Sequence, residues 1–321
     1  MSNPLHLYRY AGLRVASELL LPELSRDSDL RATGGLTIRL SPVPVIPTGI
    51  TPTWQHDWLD SDDGASLSGL RIDQRYGLVF PGVAQAWFGL DGDIALWRDP
   101  DASSESLRHV LLDQVIPRLI AQRGILVLHG SMATTGGGHT VMVLGDSGMG
   151  KSTLAGGIAL GGGTVLTDDC LTVSFGARPD QVHAVPSYPG LRLWPDSLAA
   201  LFDERRVEAT PMTHYTDKLR LPPAAPATTG APAMIDAILV LQDPDGSDAV
   251  TLAPIAPRPA CMAIIGNAFQ LDLGNHRHTH QLLGLAADLA GRVPVLALTY
   301  PRDYAALPRV VERIRMALAA P

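Results

Sequence analysis

Eight residues with the pattern G-x-x-x-x-G-K-S constrain the fold of this chain more than any other feature. They and the residue after them are Gly145, Asp146, Ser147, Gly148, Met149, Gly150, Lys151, Ser152 and Thr153. The apolar run 140–144 precedes the motif with the length of a buried strand, and residues 153–160 read as a helix. Strand, glycine loop and helix form the context in which this motif binds phosphate. The sequence therefore predicts an α/β fold organised around a phosphate-binding loop.

The residue types of this loop match the chemistry of a nucleoside triphosphate. Glycines let successive backbone N–H groups point inward as an anion nest, and the following helix adds its partial positive charge. Lys151 supplies a compact cation for the β- and γ-phosphates, and the Ser152 hydroxyl is a ligand for Mg²⁺. The alternative is a glycine-rich turn that matches the pattern by chance. We expect residues 145–153 to bind ATP together with Mg²⁺.

Composition excludes several other classes of protein. Of 321 residues, 46% are hydrophobic and 18% charged, which is typical of a globular chain and not of a disordered one. The formal net charge of −7 predicts no general attraction to nucleic acid or to an anionic membrane. Two cysteines make neither a disulfide framework nor a zinc pattern. The first residues lack the order of a signal peptide, and no apolar run is long enough to span a bilayer. We therefore predict a cytoplasmic protein.

The pattern of apolar residues divides the chain into three parts. Residues 1–102 carry short alternating runs separated by turn signals such as the cluster 60–64, which predicts a small antiparallel β-rich domain. Residues 103–122 have apolar residues at helical spacing and read as a connecting helix, with a kink expected at Pro117. Residues 123–321 would then form the nucleotide domain.

Two strands of that domain end in candidate site residues. Residues 124–131 read as a strand ending near His129, and the turn 135–139 would return the chain as a hairpin into the strand before the loop. A core histidine satisfied by a backbone carbonyl is the alternative for His129.

A second strand runs directly into Asp168 and Asp169. Ligands bind at the carboxyl ends of parallel strands, and adjacent residues point to opposite faces, so one carboxylate would hold Mg²⁺ and the other accept a hydroxyl proton. A polar turn after a strand is the alternative here.

These residues resemble the catalytic domain of the HPr serine kinase/phosphorylase family. Its members have a histidine-glycine pair, here His129-Gly130, then the G-x-x-x-x-G-K-S loop, then an aspartate pair. Residues 187–195 and 298–303, and the β-rich opening, also resemble HPr-kinase-related proteins found beside lasso-peptide biosynthesis enzymes. Those relatives phosphorylate a serine near the C-terminus of a precursor peptide. The resemblance implies a P-loop domain of HPr-kinase type preceded by a small β-rich N-terminal domain.

The resemblance also implies roles for single residues. Asp168 would be the general base toward the acceptor serine, and Asp169 would bind Mg²⁺ with Ser152. His129 would lie beside the transferring phosphate and position Asp168 or the γ-phosphoryl group. HPr kinases carry an arginine-glycine motif with a preceding glutamate, whereas the nearest counterpart here, residues 188–192, lacks the glutamate. This departure points away from HPr as the acceptor and away from the reverse reaction.

Basic residues are needed to stabilise the charge of a phosphoryl group in transfer. Arg192, Lys218 and Arg220 are the candidates, and Lys218 and Arg220 would lie on one side of an extended segment. An exposed surface cation is the alternative for Lys218, one of only two lysines in the chain. The segment 221–230 reads as a loop, either an inert linker or a lid.

Three histidines at alternate positions, His276, His278 and His280, precede a predicted helix at 281–290. On a strand they would share one face and form a metal site, but no acid or cysteine completes a set of ligands nearby. A solvated loop or a surface that meets an acidic peptide is the favoured interpretation. Strands at 237–241 and 295–298 and an amphipathic helix at 304–319 complete the predicted domain.

The sequence as a whole predicts an ATP- and Mg²⁺-dependent serine kinase that acts on a peptide or small protein, with a lasso-peptide precursor as the leading acceptor. An NTPase that couples hydrolysis to a conformational change and a nucleotide-binding sensor without phosphotransfer remain as alternatives. We expect no nucleic-acid partner and no membrane partner, and a homo-oligomer is left open.

Overall fold

The computed structural model describes residues 4–27, 35–58, 67–178, 180–202, 207–213, 215–222, 231–244 and 246–319. The predicted turn cluster at 60–64 and residues 223–230 of the predicted loop lie outside these ranges. The described chain is mixed α/β, as predicted, and its strands form several sheets.

The first hundred residues form one eight-stranded sheet with the spatial order β1-β2-β3-β8-β7-β6-β5-β4. Its strands are β1 (His6–Tyr10), β2 (Leu13–Ser17), β3 (Gly35–Ser41), β4 (Trp54–Trp58), β5 (Leu67–Ile72), β6 (Arg75–Phe80), β7 (Ala84–Gly89) and β8 (Asp93–Arg98). The prediction of a purely antiparallel sheet is wrong, because β3 pairs in parallel with both β2 and β8. Parallel neighbours require long connections, and the chain between β3 and β8, which includes four strands, supplies one of them.

The predicted connecting helix is present and changes its winding in the middle. It consists of α1 (Ser104–Val110), a π-helical segment (Leu111–Val115) and α2 (Ile116–Gln122). Pro117 has no N–H group for a regular bond to the carbonyl four residues earlier. The π-helical segment comes directly before this proline. At its end, the Ile116 N–H donates to the Leu111 carbonyl, five residues earlier. The local effect expected of Pro117 therefore takes the form of a π turn.

The helix shares a hydrophobic core with the sheet on one side and with the rest of the chain on the other. Buried helix residues such as Leu111 and Leu119 pack in one cluster with Leu36 of β3 and with Val127 and Tyr188 beyond the helix. Continuous packing of this kind transmits strain between its members. The domain boundaries predicted at residues 102 and 122 stay a prediction. This hydrophobic core includes residues on both sides of each boundary.

The remaining elements alternate short strands with helices. In chain order they are β9 (Leu126–His129), β10 (Ser131–Thr134), β11 (Thr140–Leu144), α3 (Lys151–Leu160), β12 (Thr164–Thr167), β13 (Cys170–Phe175), β14 (Val182–Pro186), β15 (Leu191–Leu193), α4 (Pro195–Leu201), β16 (Thr210–Pro211), β17 (Leu219–Leu221), β18 (Ala233–Met234), β19 (Ala237–Leu241), β20 (Thr251–Pro254), α5 (Pro257–Gly266), α6 (His276–Arg292), β21 (Val295–Thr299), a 3₁₀ turn (Tyr304–Ala306) and α7 (Leu307–Ala319). The sheets have the orders β12-β10-β11-β19-β21-β20, β18-β14-β13-β9 and β15-β17-β16. Among the described residues, none of the helices has the length and apolar character that crossing a bilayer requires.

The single strand predicted at 124–131 is in fact two strands that belong to different sheets. Before Gly130, β9 pairs with β13, and after it β10 pairs with β11 and β12. A Cβ atom at Gly130 would lie 2.7 Å from the Val143 carbonyl oxygen, so the chain passes between the sheets where only glycine fits. The hairpin into β11 is therefore made by β10, and β9 instead places His129 opposite Cys170.

The strand that leads into the two aspartates was expected to lie in a parallel sheet, and this expectation is wrong for β12. It pairs antiparallel with β10, and β10 also pairs antiparallel with β11. Strands β11 and β12 therefore run in the same direction with β10 between them. Their carboxyl ends meet at one edge, which brings Asp168 and Asp169 to the loop that follows β11.

The three alternate histidines lie in the first turns of α6 and not in a loop. The side chain of Asn275 accepts a hydrogen bond from the His278 N–H and so begins the helix five residues earlier than predicted. On a helix, His276 and His280 are four residues apart and share a face, but His278 lies on another, so the three histidines do not form one set of ligands. Within the described ranges, no group of three or more His, Cys, Asp or Glu side chains is placed to hold a metal ion.

One glycine at the start of β12 offers a test of this arrangement. A Cβ atom at Gly163 would lie 2.2 Å from the Thr134 carbonyl oxygen and 2.8 Å from Ile158 Cγ2. Gly163→Ala should therefore lower the free energy of unfolding by about 1–3 kcal/mol, as overpacking does. Gly284→Ala in α6 is the matched control, since a Cβ there meets nothing within 4 Å, and it should stabilise the helix by up to about 1 kcal/mol. Urea unfolding measures both, and equal stability of the two variants would contradict the packing at β12.

Candidate active site

The loop between β11 and α3 folds back on the side chain of its own lysine. Gly145, Gly148 and Gly150 have φ values of 151°, 77° and 89°, a region that favours glycine. Lys151 begins α3, and its ammonium donates to the carbonyls of Gly145 at 2.7 Å and Asp146 at 3.0 Å. An ammonium has three N–H donors, so these two bonds leave one for a ligand.

Burial lowers the pKa of Lys151, while Asp169 and Asp168 raise it in opposition. A cation in a poorly hydrated position gains more from an anionic ligand than an exposed lysine would. We define the glycine loop as residues 145–150. The Lys151 ammonium therefore favours the binding of an anion at the opening of this loop.

A cleft of about 450 Å³ opens above the glycine loop. One wall carries four of the predicted site residues, namely His129, Asp169, Arg192 and Lys218. The loop side contributes residues 147–153, which include Lys151 and Ser152. The structure thus brings the predicted residues from five separate segments around one space. Asp168 lies beneath this surface, and the structure does not place it among the residues that line the cleft.

Asp168 is buried and contacts Ser152. Its Oδ1 accepts hydrogen bonds from the Ser152 hydroxyl at 3.0 Å and the Ser131 hydroxyl at 2.5 Å, and its Oδ2 accepts from the Arg192 backbone N–H at 2.9 Å. Burial, with Asp169 as the next contributor, raises the pKa of Asp168. This carboxylate is thus held in place by three donors and adjoins the hydroxyl that was predicted to bind metal.

Asp169 faces the cleft from the turn between β12 and β13. Its backbone is left-handed, with φ at 81°, and its side chain is 22% exposed. Its Oδ2 lies 2.9 Å from Arg192 Nε, and its Oδ1 lies 3.5 Å from His129 Nε2. Burial acts to raise the pKa of Asp169, but Arg192 and His129 outweigh it and hold the pKa well below the usual range. Asp169 is therefore ionised at neutral pH and accessible from the cleft.

Arg192, in β15, links the two aspartates to the connecting helix. Its guanidinium contacts Asp169, the Asp168 carbonyl and the Tyr188 hydroxyl, and its Nη2 lies 3.0 Å from Asp113 Oδ1. Burial alone would lower the pKa of Arg192, but Asp113 and Asp169 raise it well above its usual value. The arginine is permanently charged and is held between two carboxylates, while its Nε–H makes a charge contact with Asp169 but no hydrogen bond.

The two other predicted cations are separated. The Lys218 ammonium lies 5.1 Å from the centre of the Trp194 ring, and both residues line the cleft. Arg220 instead lies 2.5 Å from Glu23 and faces a different groove, between the N-terminal sheet and β16–β17. The expectation that Lys218 and Arg220 act together on one side is therefore not met, because Glu23 pairs with Arg220.

Several residues of the site carry no motif and were missed in the sequence. A chain of hydrogen bonds along the cleft joins the predicted Thr153 to Ser197 at 3.2 Å, Ser197 to Tyr304 at 3.0 Å and Tyr304 to Asp196 at 2.8 Å. These residues come from α4, the 3₁₀ turn and α3, which only the tertiary fold brings together. Asp113 did leave a signal, since a lone carboxylate in an apolar helical stretch is unusual unless it is paired.

The donors around Ser152 fit a magnesium ion. Mg²⁺ prefers oxygen ligands and is usually held by one or two carboxylates together with substrate phosphates and water. The Ser152 hydroxyl and the adjoining Asp168 carboxylate are such a set. The described residues include no cage of three or more ligating side chains, so the remaining ligands would come from phosphate and water.

No protein-family model matches the chain, and no curated protein matches it. Among solved structures, the chain is similar to the Hpr(Ser) kinase/phosphatase from Coxiella burnetii, with 10% sequence identity and a TM-score of 0.30. The similarity covers 60% of this chain and 99% of that one.

The opposite pKa shifts of the two aspartates predict opposite effects on stability. The raised pKa of Asp168 means that the native state loses stability as pH rises from the usual aspartate pKa through the native one, so Asp168→Asn should raise Tm at pH 8. The lowered pKa of Asp169 stabilises the native state above the usual pKa, and this stabilisation is lost as pH falls through the native value. Asp169→Asn should therefore lower Tm at pH 8.

Calorimetry in EDTA without nucleotide measures both effects, and the difference between the variants should shrink as pH falls toward 3. A lower Tm for both variants at pH 8 would contradict the assigned electrostatics.

Proposed function

We propose that this chain is an ATP- and Mg²⁺-dependent serine kinase, which transfers the γ-phosphate to a serine hydroxyl of a peptide or small protein. The observation that supports this function best is the arrangement of three side chains around one cleft and a fourth directly beneath it. The Lys151 ammonium and the Ser152 hydroxyl lie on the loop side, Asp168 lies beneath the surface in contact with Ser152, and Asp169 faces the cleft. A phosphate cradle opposite an accessible carboxylate is what transfer to a hydroxyl requires.

In this proposal the triphosphate lies on residues 145–153. Backbone N–H groups of the glycine loop and the first turn of α3 point at the phosphates, and the ten-residue helix adds its partial positive charge. The remaining N–H of Lys151 binds the β- and γ-phosphates. These contacts position the nucleotide and offset its charge, which accounts for most of the catalysis of phosphoryl transfer.

The contacts of the two aspartates favour a division of roles opposite to the one expected from sequence. Asp168 accepts a hydrogen bond from the Ser152 hydroxyl and does not line the cleft in which the acceptor serine would bind, so we assign it with Ser152 to the metal, directly or through water. When bound there, Mg²⁺ would neutralise part of the charge on the β- and γ-phosphates. Ser131 and the Arg192 backbone hold the Asp168 carboxylate in the required orientation.

Asp169 is then the proton acceptor. The serine oxygen attacks the γ-phosphorus and its proton passes to Asp169, while the bond from phosphorus to the β,γ-bridging oxygen breaks and ADP leaves. The lowered pKa of Asp169 keeps it ionised at neutral pH, and a weak base of this kind suffices because phosphoryl transfer depends mainly on positioning and charge stabilisation. His129, 3.5 Å from the same carboxylate, orients Asp169 and not Asp168.

The two basic residues of this wall have different roles in the proposal. Arg192 is buried and held between Asp113 and Asp169, so we assign it to the orientation of Asp169 and not to contact with the phosphoryl group. Lys218 lines the cleft beside Trp194 and is free to approach the transferring phosphate. It would stabilise the charge that develops on the phosphoryl oxygens.

The acceptor we propose is a lasso-peptide precursor with a serine near its C-terminus. This finer assignment rests on the resemblance of residues 187–195 and 298–303 to the kinases of those gene clusters. Mass spectrometry of protein, Mg-ATP and the peptides encoded by neighbouring genes tests it. One added phosphate on a serine would support the kinase and identify the acceptor. ATP consumption with no peptide modified would favour the NTPase, and binding without turnover would favour the sensor.

Two substitutions should separate nucleotide binding from transfer. Lys151→Ala removes the phosphate cation and should abolish both Mg-ATP binding and turnover. Asp169→Asn leaves the glycine loop intact, so it should keep the wild-type Kd for Mg-ATP but lower kcat by about 100- to 10,000-fold, the usual contribution of a proton acceptor.

Asp180→Asn, at an exposed surface position remote from the cleft, is the matched control and should behave as wild type. Titration calorimetry gives Kd, and ADP release gives kcat. Full activity of Asp169→Asn would remove it from the reaction.

A further inference from the structure

We infer that Asp113, in the π-helical segment of the connecting helix, is a positioning residue for the transfer reaction because it holds Arg192 against Asp169. The inference rests on the proposed kinase function and adds to it a residue from outside the nucleotide-binding part of the chain. No motif connects Asp113 with the site, and 79 residues separate it from Arg192.

Asp113 is buried, and each of its oxygens has a partner. Oδ1 accepts from Tyr188 at 2.6 Å and lies 3.0 Å from Arg192 Nη2, while Oδ2 accepts from Tyr188 at 2.8 Å and lies 2.8 Å from His109 Nδ1. Burial acts to raise the pKa of Asp113, but Arg192 and His109 outweigh it and lower the pKa. The carboxylate is therefore ionised and fixed in one orientation.

Arg192 is held from two sides. Nη2 faces Asp113, while Nε faces Asp169 at 2.9 Å, so the planar guanidinium bridges two carboxylates. The Tyr188 ring lies 4.7 Å from the guanidinium carbon and supports its face. A rigid fork anchored at both ends fixes the position of whatever it contacts. If Asp113 is neutralised, Asp169 becomes the only charged carboxylate that contacts the guanidinium, and the balance of attraction that holds Arg192 between the two carboxylates is lost.

This arrangement is better explained by positioning than by stability. A buried ion pair gains little over well-packed apolar residues, because both charges must be desolvated. The network of Asp113, Tyr188 and Arg192 instead ends at Asp169, the only carboxylate of the network that lines the cleft. Displacement of a reacting group by about 1 Å costs a reaction about 100-fold in rate.

The test compares Asp113→Asn with wild type, using Mg-ATP and the serine peptide that the wild type phosphorylates. Asparagine keeps the shape and removes the charge. We expect kcat to fall by about 100-fold, with Kd for Mg-ATP unchanged because the glycine loop is untouched. Wild-type kcat in a folded Asp113→Asn protein would overturn the inference. Absence of transfer by the wild type would instead contradict the proposed function.

A double-mutant cycle shows whether Asp113 acts through Arg192. If it does, Asp113→Asn combined with Arg192→Gln should be no slower than Arg192→Gln alone. Two losses that multiply would show independent effects and would overturn the inference.

A matched control separates positioning from general destabilisation. Asp272 is fully buried and pairs at 2.5 Å with Arg71 of the N-terminal sheet, but it does not line the cleft. Asp272→Asn should lower Tm as Asp113→Asn does while keeping wild-type kcat. An equal loss of kcat in the two variants would show that Asp113 has only a structural role.

If Asp113→Asn does not fold, Tyr188→Phe removes the hydroxyl that orients Asp113 and should also lower kcat without changing Kd. Wild-type kcat for Tyr188→Phe would then overturn the inference.

Discussion

The buried guanidinium of Arg192 joins the connecting helix, the turn with the two aspartates and β15 through charged contacts. A cation with 3% of its side chain exposed requires carboxylates nearby, and it finds them in Asp113 of the connecting helix and Asp169 of the turn after β12. Removing one partner from such a group leaves an uncompensated buried charge, which costs about 3–5 kcal/mol. The helix, the aspartate turn and β15 are therefore held in one arrangement, and that arrangement defines one wall of the cleft.

Backbone geometry brings the other groups to the same place. Strands β11 and β12 run in the same direction on either side of β10, so the glycine loop and the aspartates leave the sheet at one edge. Because the chain crosses between sheets at Gly130, β9 lies in a different sheet from β10. In that sheet its last residue, His129, lies next to Asp169. The proposed reaction thus depends on tertiary contacts between segments that are each short and unremarkable in isolation.

Local patterns predicted the glycine loop with its flanking strand and helix, the strands near residues 237–241 and 295–298, and the location of the aspartate pair. These features depend on neighbouring residues alone. The sheet partners of β9 and β12 depend on distant chain, and the close approach of Gly130 to Val143 has no signal in the sequence beyond the glycine itself. The early start of α6 depends on the N-cap at Asn275. This cap was not recognised in the sequence because the three alternate histidines after it were interpreted as a loop.

The distinct surroundings of Asp168 and Asp169 were beyond sequence reasoning for a specific reason. Alternation along a strand predicts that neighbours point apart, but not which of them is buried. A left-handed residue at Asp169 and a hydrogen bond from Ser152 to Asp168 decide this. Asp113 was missed because its partner lies in another part of the chain.

A crystal structure of the chain with Mg²⁺, a non-hydrolysable ATP analogue and a serine peptide tests the central claim most directly. Our account predicts the γ-phosphate between Lys151 and Asp169, the metal at Ser152 and Asp168, and the acceptor hydroxyl within hydrogen-bond distance of Asp169. Phosphates bound away from the glycine loop, or a metal held by Asp169 with the acceptor hydroxyl at Asp168, would contradict it.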